Sequence, residues 1–207
     1  MTDFEALKKA VMSGKRNDVA AIVQSAIDAK ENIGDILDKG MIPAMREIGD
    51  RFSKNEVYVP ELLIAARAMQ AGLALIEPLL AATGRKSMGK IAIGTVKGDL
   101  HDIGKNLVAI MLKGAGYDVI DLGVNCDVEK YKGALEQGAQ ILACSALLTT
   151  TMPYMKEIVN AFKGKAKIII GGAPVTQAYA DEIGADGYSD DANGAVKLVD
   201  SILKKSA

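Results

Sequence analysis
The period of the apolar residues changes once along this chain, near residue 85, and that change restricts the fold more than any other feature. Before it, the apolar positions follow a helical repeat. Leu62, Ala66, Met69, Leu73, Ile76 and Leu80 recur at alternating steps of four and three, which lines one helix face. Ile33, Leu37, Met41, Ile48 and Phe52 mark a second long helix. Val19, Ile22, Val23, Ala26 and Ile27 mark a shorter one, and Phe4, Leu7 and Val11 a first. Four such helices with short connections predict an antiparallel four-helix bundle over residues 1–85.

The segment Gly84-Arg85-Lys86-Ser87-Met88-Gly89 breaks the helical pattern and is the candidate linker. From residue 89 to 207 the pattern is different. Short apolar runs at Ile91 to Val96, Val119 to Leu122, Ile141 to Ser145 and Lys167 to Ile170, with a weak one near Tyr188, alternate with helical stretches. This βαβ pattern predicts an α/β domain, a Rossmann-like (flavodoxin-like) five-stranded parallel sheet with helices on both faces. In the strand order 2-1-3-4-5 the ligand crevice lies at the carboxyl edge between strands one and three.

Composition excludes several classes. The 207 residues carry 25 basic and 26 acidic side chains, and their mixture leaves no basic stripe of the kind nucleic acid requires. The opening Met1-Thr2-Asp3-Phe4-Glu5 lacks a secretory signal pattern, and no apolar run reaches the roughly eighteen residues of a membrane span. A cytoplasmic protein without membrane partners is expected. Cys126 and Cys144 have no Cys-x-x-Cys spacing, so they read as reduced thiols rather than zinc ligands or a disulfide.

The distinctive residues fall where strands end. His101, the single histidine, sits in Gly98-Asp99-Leu100-His101-Asp102-Ile103-Gly104 after the first strand, and a carboxylate two residues before an imidazole can aim it at a metal. Ser145, Leu147, Thr149 and Thr151 follow the third strand, Gly171 and Gly172 the fourth, and Tyr188 to Ala192 the fifth. No phosphate-loop or dinucleotide fingerprint accompanies them. The glycines instead leave room for a flat or extended group against the backbone. Asp102 reads as the cap of a helix that buries Ile103, Leu107, Ile110 and Met111.

Asp99-x-His101-x-x-Gly104, then Ser145-x-Leu147, then Gly171-Gly172 closely resembles the cobalamin-binding domain of methionine synthase, the B12-dependent mutases and the corrinoid proteins of methanogens and acetogens. Gly49-Asp50-Arg51-Phe52 and Tyr58-Val59-Pro60-Glu61-Leu62 resemble the helical cap of the methyl-transferring branch. The resemblance implies a base-off/His-on corrinoid with His101 as lower axial ligand to cobalt. Asp99 would accept a hydrogen bond from the second ring nitrogen, and Thr151 would extend the relay. Gly104, Ser145, Leu147, Thr149, Gly171, Gly172, Tyr188 and Ala192 would line the slot for the displaced nucleotide tail.

It also implies a methyl carrier, not catalytic alone. Such a carrier takes a methyl group from a substrate:corrinoid methyltransferase and presents methyl-Co(III) to a corrinoid:acceptor methyltransferase. Tetrahydrofolate or coenzyme M is the acceptor, as in O-demethylase or methylamine systems, and a corrinoid reductive activator is the third partner. The helical half would cover the upper corrin face at rest and swing aside on the linker. The alternative is a cobalamin-dependent sensor acting through a protein partner. A radical isomerase subunit is a third class, but such subunits generally lack the N-terminal bundle.

Overall fold
The computed structural model describes residues 2–82 and 87–204. The described residues divide into two compact units, one over the N-terminal helices together with Gly114–Gly116, the other over the rest of the C-terminal part. Of the candidate linker, residues 84–86 lie outside the described residues.

In the first unit α1 (Phe4–Met12) starts at Asp3, whose carboxylate accepts the Ala6 N–H, and α2 (Arg16–Asp28) follows a turn at Gly14. The expected long helix at 33–52 is helical throughout but not uniform. It comprises α3 (Ile33–Asp35), a π-helical stretch (Ile36–Met41) and α4 (Ile42–Ser53). Pro43, which has no N–H to donate backward, is the second residue of α4, just past the π-helical stretch, where the hydrogen-bond register slips by one residue. Gly40 lies in that stretch so close to Leu7 that an added Cβ would come within 2.6 Å of Cδ2.

The long α5 (Val59–Ala82) packs on α1, α2 and α4. Its residues Val59–Leu80 are long and apolar enough, at a mean hydropathy of 1.4, to match a membrane span by length and composition alone, but Glu61, Arg67, Gln70 and Glu77 interrupt the apolar run. Leu62, Ala66, Met69 and Ile76 are buried, and Gly72 abuts Met41 and Val19, so an apolar face of α5 serves the bundle core.

The second unit is a five-stranded sheet of order β2-β1-β3-β4-β5, every pairing parallel, as expected. The strands are β1 (Lys90–Thr95), β2 (Asp118–Asp121), β3 (Ile141–Ser145), β4 (Lys167–Gly171) and β5 (Gly187–Tyr188). Between and after them run α6 (Ile103–Gly114), α7 (Val128–Glu136), α8 (Pro153–Phe162), α9 (Gln177–Ile183) and α10 (Ala192–Lys204). Ala92, Leu142, Cys144, Ile168 and Ile170 alternate along three strands and meet Tyr131 and Ala134 of α7, Ile158 and Phe162 of α8, and Ala180 of α9. From β1 the chain crosses to β2 on one side, and β3 pairs on the other. The carboxyl ends of β1 and β3 therefore border the switch point.

Leu62 is fully buried on α5, so Leu62→Ala leaves a cavity that the bundle fills only in part. The expected loss is about 2–5 kcal/mol, read by urea unfolding.

Candidate functional site
The loop after β1 carries His101 and folds around one carboxylate. Asp99 is completely buried, and its Oδ1 accepts the His101 backbone N–H at 3.1 Å and lies 2.9 Å from His101 Nδ1. Its Oδ2 accepts from the loop after β3: Leu147 N–H at 2.8 Å, Leu148 N–H at 3.2 Å and the Thr151 hydroxyl at 2.8 Å. The Thr151 hydroxyl also lies 2.9 Å from the Leu148 carbonyl, so its one proton serves two acceptors. The structure thus brings Asp99, His101 and Thr151 into one hydrogen-bonded group.

Burial alone would raise the Asp99 carboxyl. The hydrogen bonds from Leu147, His101 and Thr151 outweigh burial and hold it well below the usual carboxylate range. An ionised carboxylate only accepts, so the proton of the His101–Asp99 bond resides on Nδ1. In the neutral imidazole Nε2 then carries the free lone pair. The His101 side chain is 53% exposed, so this fixed ring reaches solvent.

Further bonds hold the loop itself. The Thr95 hydroxyl donates to the His101 carbonyl at 2.7 Å, and Asn125, at φ 52°, takes the Gly98 N–H on its side-chain oxygen at 2.8 Å. Asn125 N–H in turn donates to the Asp99 carbonyl at 3.0 Å. Around the imidazole the surface is apolar: Leu100 is 71% exposed, Ile103 82%, and Leu147 and Leu148 each 42%. This corrects the expectation that α6 buries Ile103, Leu107, Ile110 and Met111: Ile103 is exposed, Leu107 and Ile110 are half-buried, and the buried positions are Lys105, Ala109, Met111, Leu112 and Gly114. Asp102 stands just before α6, its carbonyl accepting the Asn106 N–H and its carboxylate accepting the Asn106 side-chain amide at 3.0 Å, a bond to a side chain and not to a backbone N–H of the first turn.

Ser145 and Gly171 are paired neighbours at the ends of β3 and β4, and Tyr188 pairs with Ile170. Gly172 has φ 128°, and a Cβ there would sit 1.9 Å from the Ala146 carbonyl oxygen, so only glycine lets the two strand ends approach this closely. At Gly104 a Cβ would meet nothing within 4 Å, so nothing in the described chain requires glycine there. Thr149 is exposed beyond β3, whereas Ala192 is buried at the start of α10, where protein atoms cover its side chain. Sequence reasoning missed the Leu147 and Leu148 amides, Asn125, Lys105 and the apolar residues Leu100, Ile103 and Leu148. Backbone donors leave no residue signature, and the others announce themselves only when the loops are brought together.

A flat, largely apolar ligand offering an open metal position suits this edge, which presents the free Nε2 of a half-exposed imidazole, exposed apolar side chains, and glycines at the end of β4. Among the described residues no cluster of three or more His, Cys, Asp or Glu side chains is placed to hold a metal ion.

Comparison with known proteins agrees with this geometry. A B12 binding domain family matches residues 89–197, and a second B12 binding domain family matches residues 3–77. A corrinoid protein of Desulfitobacterium hafniense strain Y51 is 41% identical, over 99% of both chains. The dimethylamine corrinoid protein of Methanosarcina barkeri is 39% identical, over 97% of both. The methanol:cobalamin methyltransferase complex of Methanosarcina barkeri contains a chain superposing with a TM-score of 0.87 at 29% identity, covering 97% of this chain and 79% of that one. A cobalamin-binding protein of Desulfitobacterium hafniense DCB-2 superposes at 0.80 with 28% identity, covering 97% and 98%.

In the native state Asp99 keeps its charge to lower pH than in the unfolded chain. Its stabilising contribution is therefore complete well above the ordinary value of 3.8 and is lost as pH falls from there toward the depressed native value. Asp99→Asn places an NH2 donor either against the Leu147 and Leu148 N–H groups and the Thr151 hydroxyl or against the His101 N–H. It should cost about 1–3 kcal/mol at neutral pH and lessen the acid loss of stability, as followed by urea unfolding over a pH series. A variant as stable as wild type, with the same acid slope, would contradict this role.

Proposed function
The chain belongs to the corrinoid proteins of methyltransferase systems, and from that premise we propose that it is the methyl carrier, holding a corrinoid base-off with His101 Nε2 as the lower ligand to cobalt. The observation that carries this reading is the half-exposed imidazole fixed through Nδ1 by a buried, ionised Asp99 amid exposed apolar side chains. A metal-ligating histidine ordinarily gives its other N–H to a carboxylate or carbonyl, which sets its tautomer and raises its basicity. When bound, the corrinoid supplies a cobalt centre able to take up and release a methyl group.

The residues of this chain bind and orient. Leu100, Ile103, Leu147 and Leu148 offer apolar contact to the macrocycle, and their removal from water on binding is favourable. Gly104 leaves the α6 opening bare, and Gly171, Gly172, Ser145 and Tyr188 line the cleft for the displaced nucleotide tail, with Thr149 at its mouth. Ala192, expected to line the same slot, is buried at the start of α10 and offers it no exposed surface. Asp99 and Thr151 hold the ring orientation and keep the Nδ1 proton in place.

Two methyltransferases follow as partners, one delivering the methyl group from its substrate and one passing it to tetrahydrofolate or coenzyme M, in an O-demethylase or methylamine system. A reductive activator that restores oxidised cobalt is the third. The carrier reading assigns the protein to the cytoplasm, with no enzyme activity in isolation. The methyltransferase complex that contains the methanol relative supports partnership of this kind.

Purified apoprotein mixed with hydroxocobalamin and freed of excess should retain stoichiometric pigment. In the Co(II) state, a corrinoid lacking its own lower base should show nitrogen hyperfine splitting that disappears in His101→Ala. Loss of pigment from the wild type, or splitting that persists in the variant, would overturn the reading.

A further inference from the structure
Lys105 is buried in a place that costs twice. It lies in the first turn of α6, where the helix dipole disfavours a cation, and its side chain is only 2% exposed. Its ammonium donates to Asp121 Oδ1 at the end of β2 and to Asn106 Oδ1, both at 2.6 Å. Asp121 faces water over 41% of its side chain and also accepts the Gly123 N–H at 2.9 Å.

These bonds close a ring. From His101 the next residue is Asp102, whose carboxylate and carbonyl hold Asn106. Asn106 takes Lys105, Lys105 reaches Asp121, and Asp121 holds Gly123. The Gly123 carbonyl accepts the Thr95 N–H at 3.0 Å, and the Thr95 hydroxyl returns to the His101 carbonyl at 2.7 Å. The only side-chain link between α6 and β2 in this circuit is the Lys105–Asp121 pair. Asp99 and Thr151 hold the imidazole from the β3 side; from the β2 side Asn125 holds Gly98 and Asp99, which precede His101, while the Lys105–Asp121 pair holds the helix opening that follows it.

We propose that Lys105 is a positioning residue for His101: its bridge from Asn106 to Asp121 ties the opening of α6 to the end of β2 and so fixes the backbone from which the imidazole projects. The inference rests on the ligand role given to His101 above. The fold has little need of the pair. A straight apolar side chain of similar length can occupy the Lys105 channel, and Asp121 can turn to water. Replacing a buried ion by a well-packed apolar group is often neutral or stabilising. What is lost is the restraint on the loop.

The test compares wild type, Lys105→Met and Asp121→Asn, using a corrinoid that lacks its own lower base. Thermal unfolding of the apoproteins should show similar midpoints for wild type and Lys105→Met, and a lower one for Asp121→Asn, which leaves the buried Lys105 ammonium without its counter-charge. Binding followed by the visible spectrum should weaken by about 10- to 100-fold in Lys105→Met, the range found when a group orienting a metal ligand is removed. The Co(II) EPR should split into two populations, with and without nitrogen hyperfine structure. Asp121→Asn, which removes no apolar contact, should move both readouts in the same direction and carries the test if Lys105→Met fails to fold. Wild-type affinity with a single nitrogen-coordinated spectrum in the folded variants would overturn the proposal. Absence of nitrogen splitting in the wild type would instead overturn the ligand role of His101.

Discussion

One buried carboxylate organises the carboxyl edge of the sheet. Asp99 accepts from His101 on the loop after β1 and from Leu147, Leu148 and Thr151 on the loop after β3, and so joins the two loops that part at the switch point. A charged group so deep is tolerated only because each oxygen is fully engaged. The same saturation keeps it ionised, and its ionisation dictates which nitrogen of His101 carries the proton. Fold stability, imidazole orientation and readiness for a metal are in this way consequences of a single set of hydrogen bonds.

The neighbouring thiols are prepared for a quiet role. Cys144 lies beside Tyr131 behind the sheet edge, and burial pushes its thiol up to about 12. Burial likewise raises Cys126, whose Sγ lies 3.3 Å from the Leu122 carbonyl. Thiols that stay protonated are poor nucleophiles and poor ligands, which suits residues packed close to a site meant for a reactive metal. Tyr131 spends its hydroxyl on the Gly94 carbonyl at 2.8 Å, adding a side-chain bond to the central strand from which the loop emerges.

Much of this was legible before any coordinates, and the reasons differ by element. The parallel sheet followed from the βαβ spacing, because parallel strands need crossover connections, whereas spacing alone does not choose among the doubly wound strand orders. The Asp99–His101 pair was visible because a two-residue interval after a buried strand keeps both groups on one loop. Lys105 and Asp121, sixteen residues apart, gave no such sign; only the parallel pairing of β1 and β2 brings the end of β2 back over the opening of α6. Ile103 was misread because helical periodicity reports which residues share a face, while the direction of that face is set by tertiary packing. The π-helical stretch at Ile36–Met41 escaped for a related reason: a one-residue slip shifts the face without erasing the repeat.

The tautomer of His101 tests the centre of this account, and the single histidine makes the measurement free of overlap. Long-range proton–nitrogen correlation spectra of the nitrogen-labelled apoprotein, recorded over a pH series, report the two ring nitrogens of the neutral ring separately. A protonated Nδ1 and an unprotonated Nε2 are the expected result, because an ionised Asp99 can only accept. A ring protonated on Nε2, or shifts averaged as in free histidine, would contradict it and remove the physical basis for an imidazole poised toward cobalt.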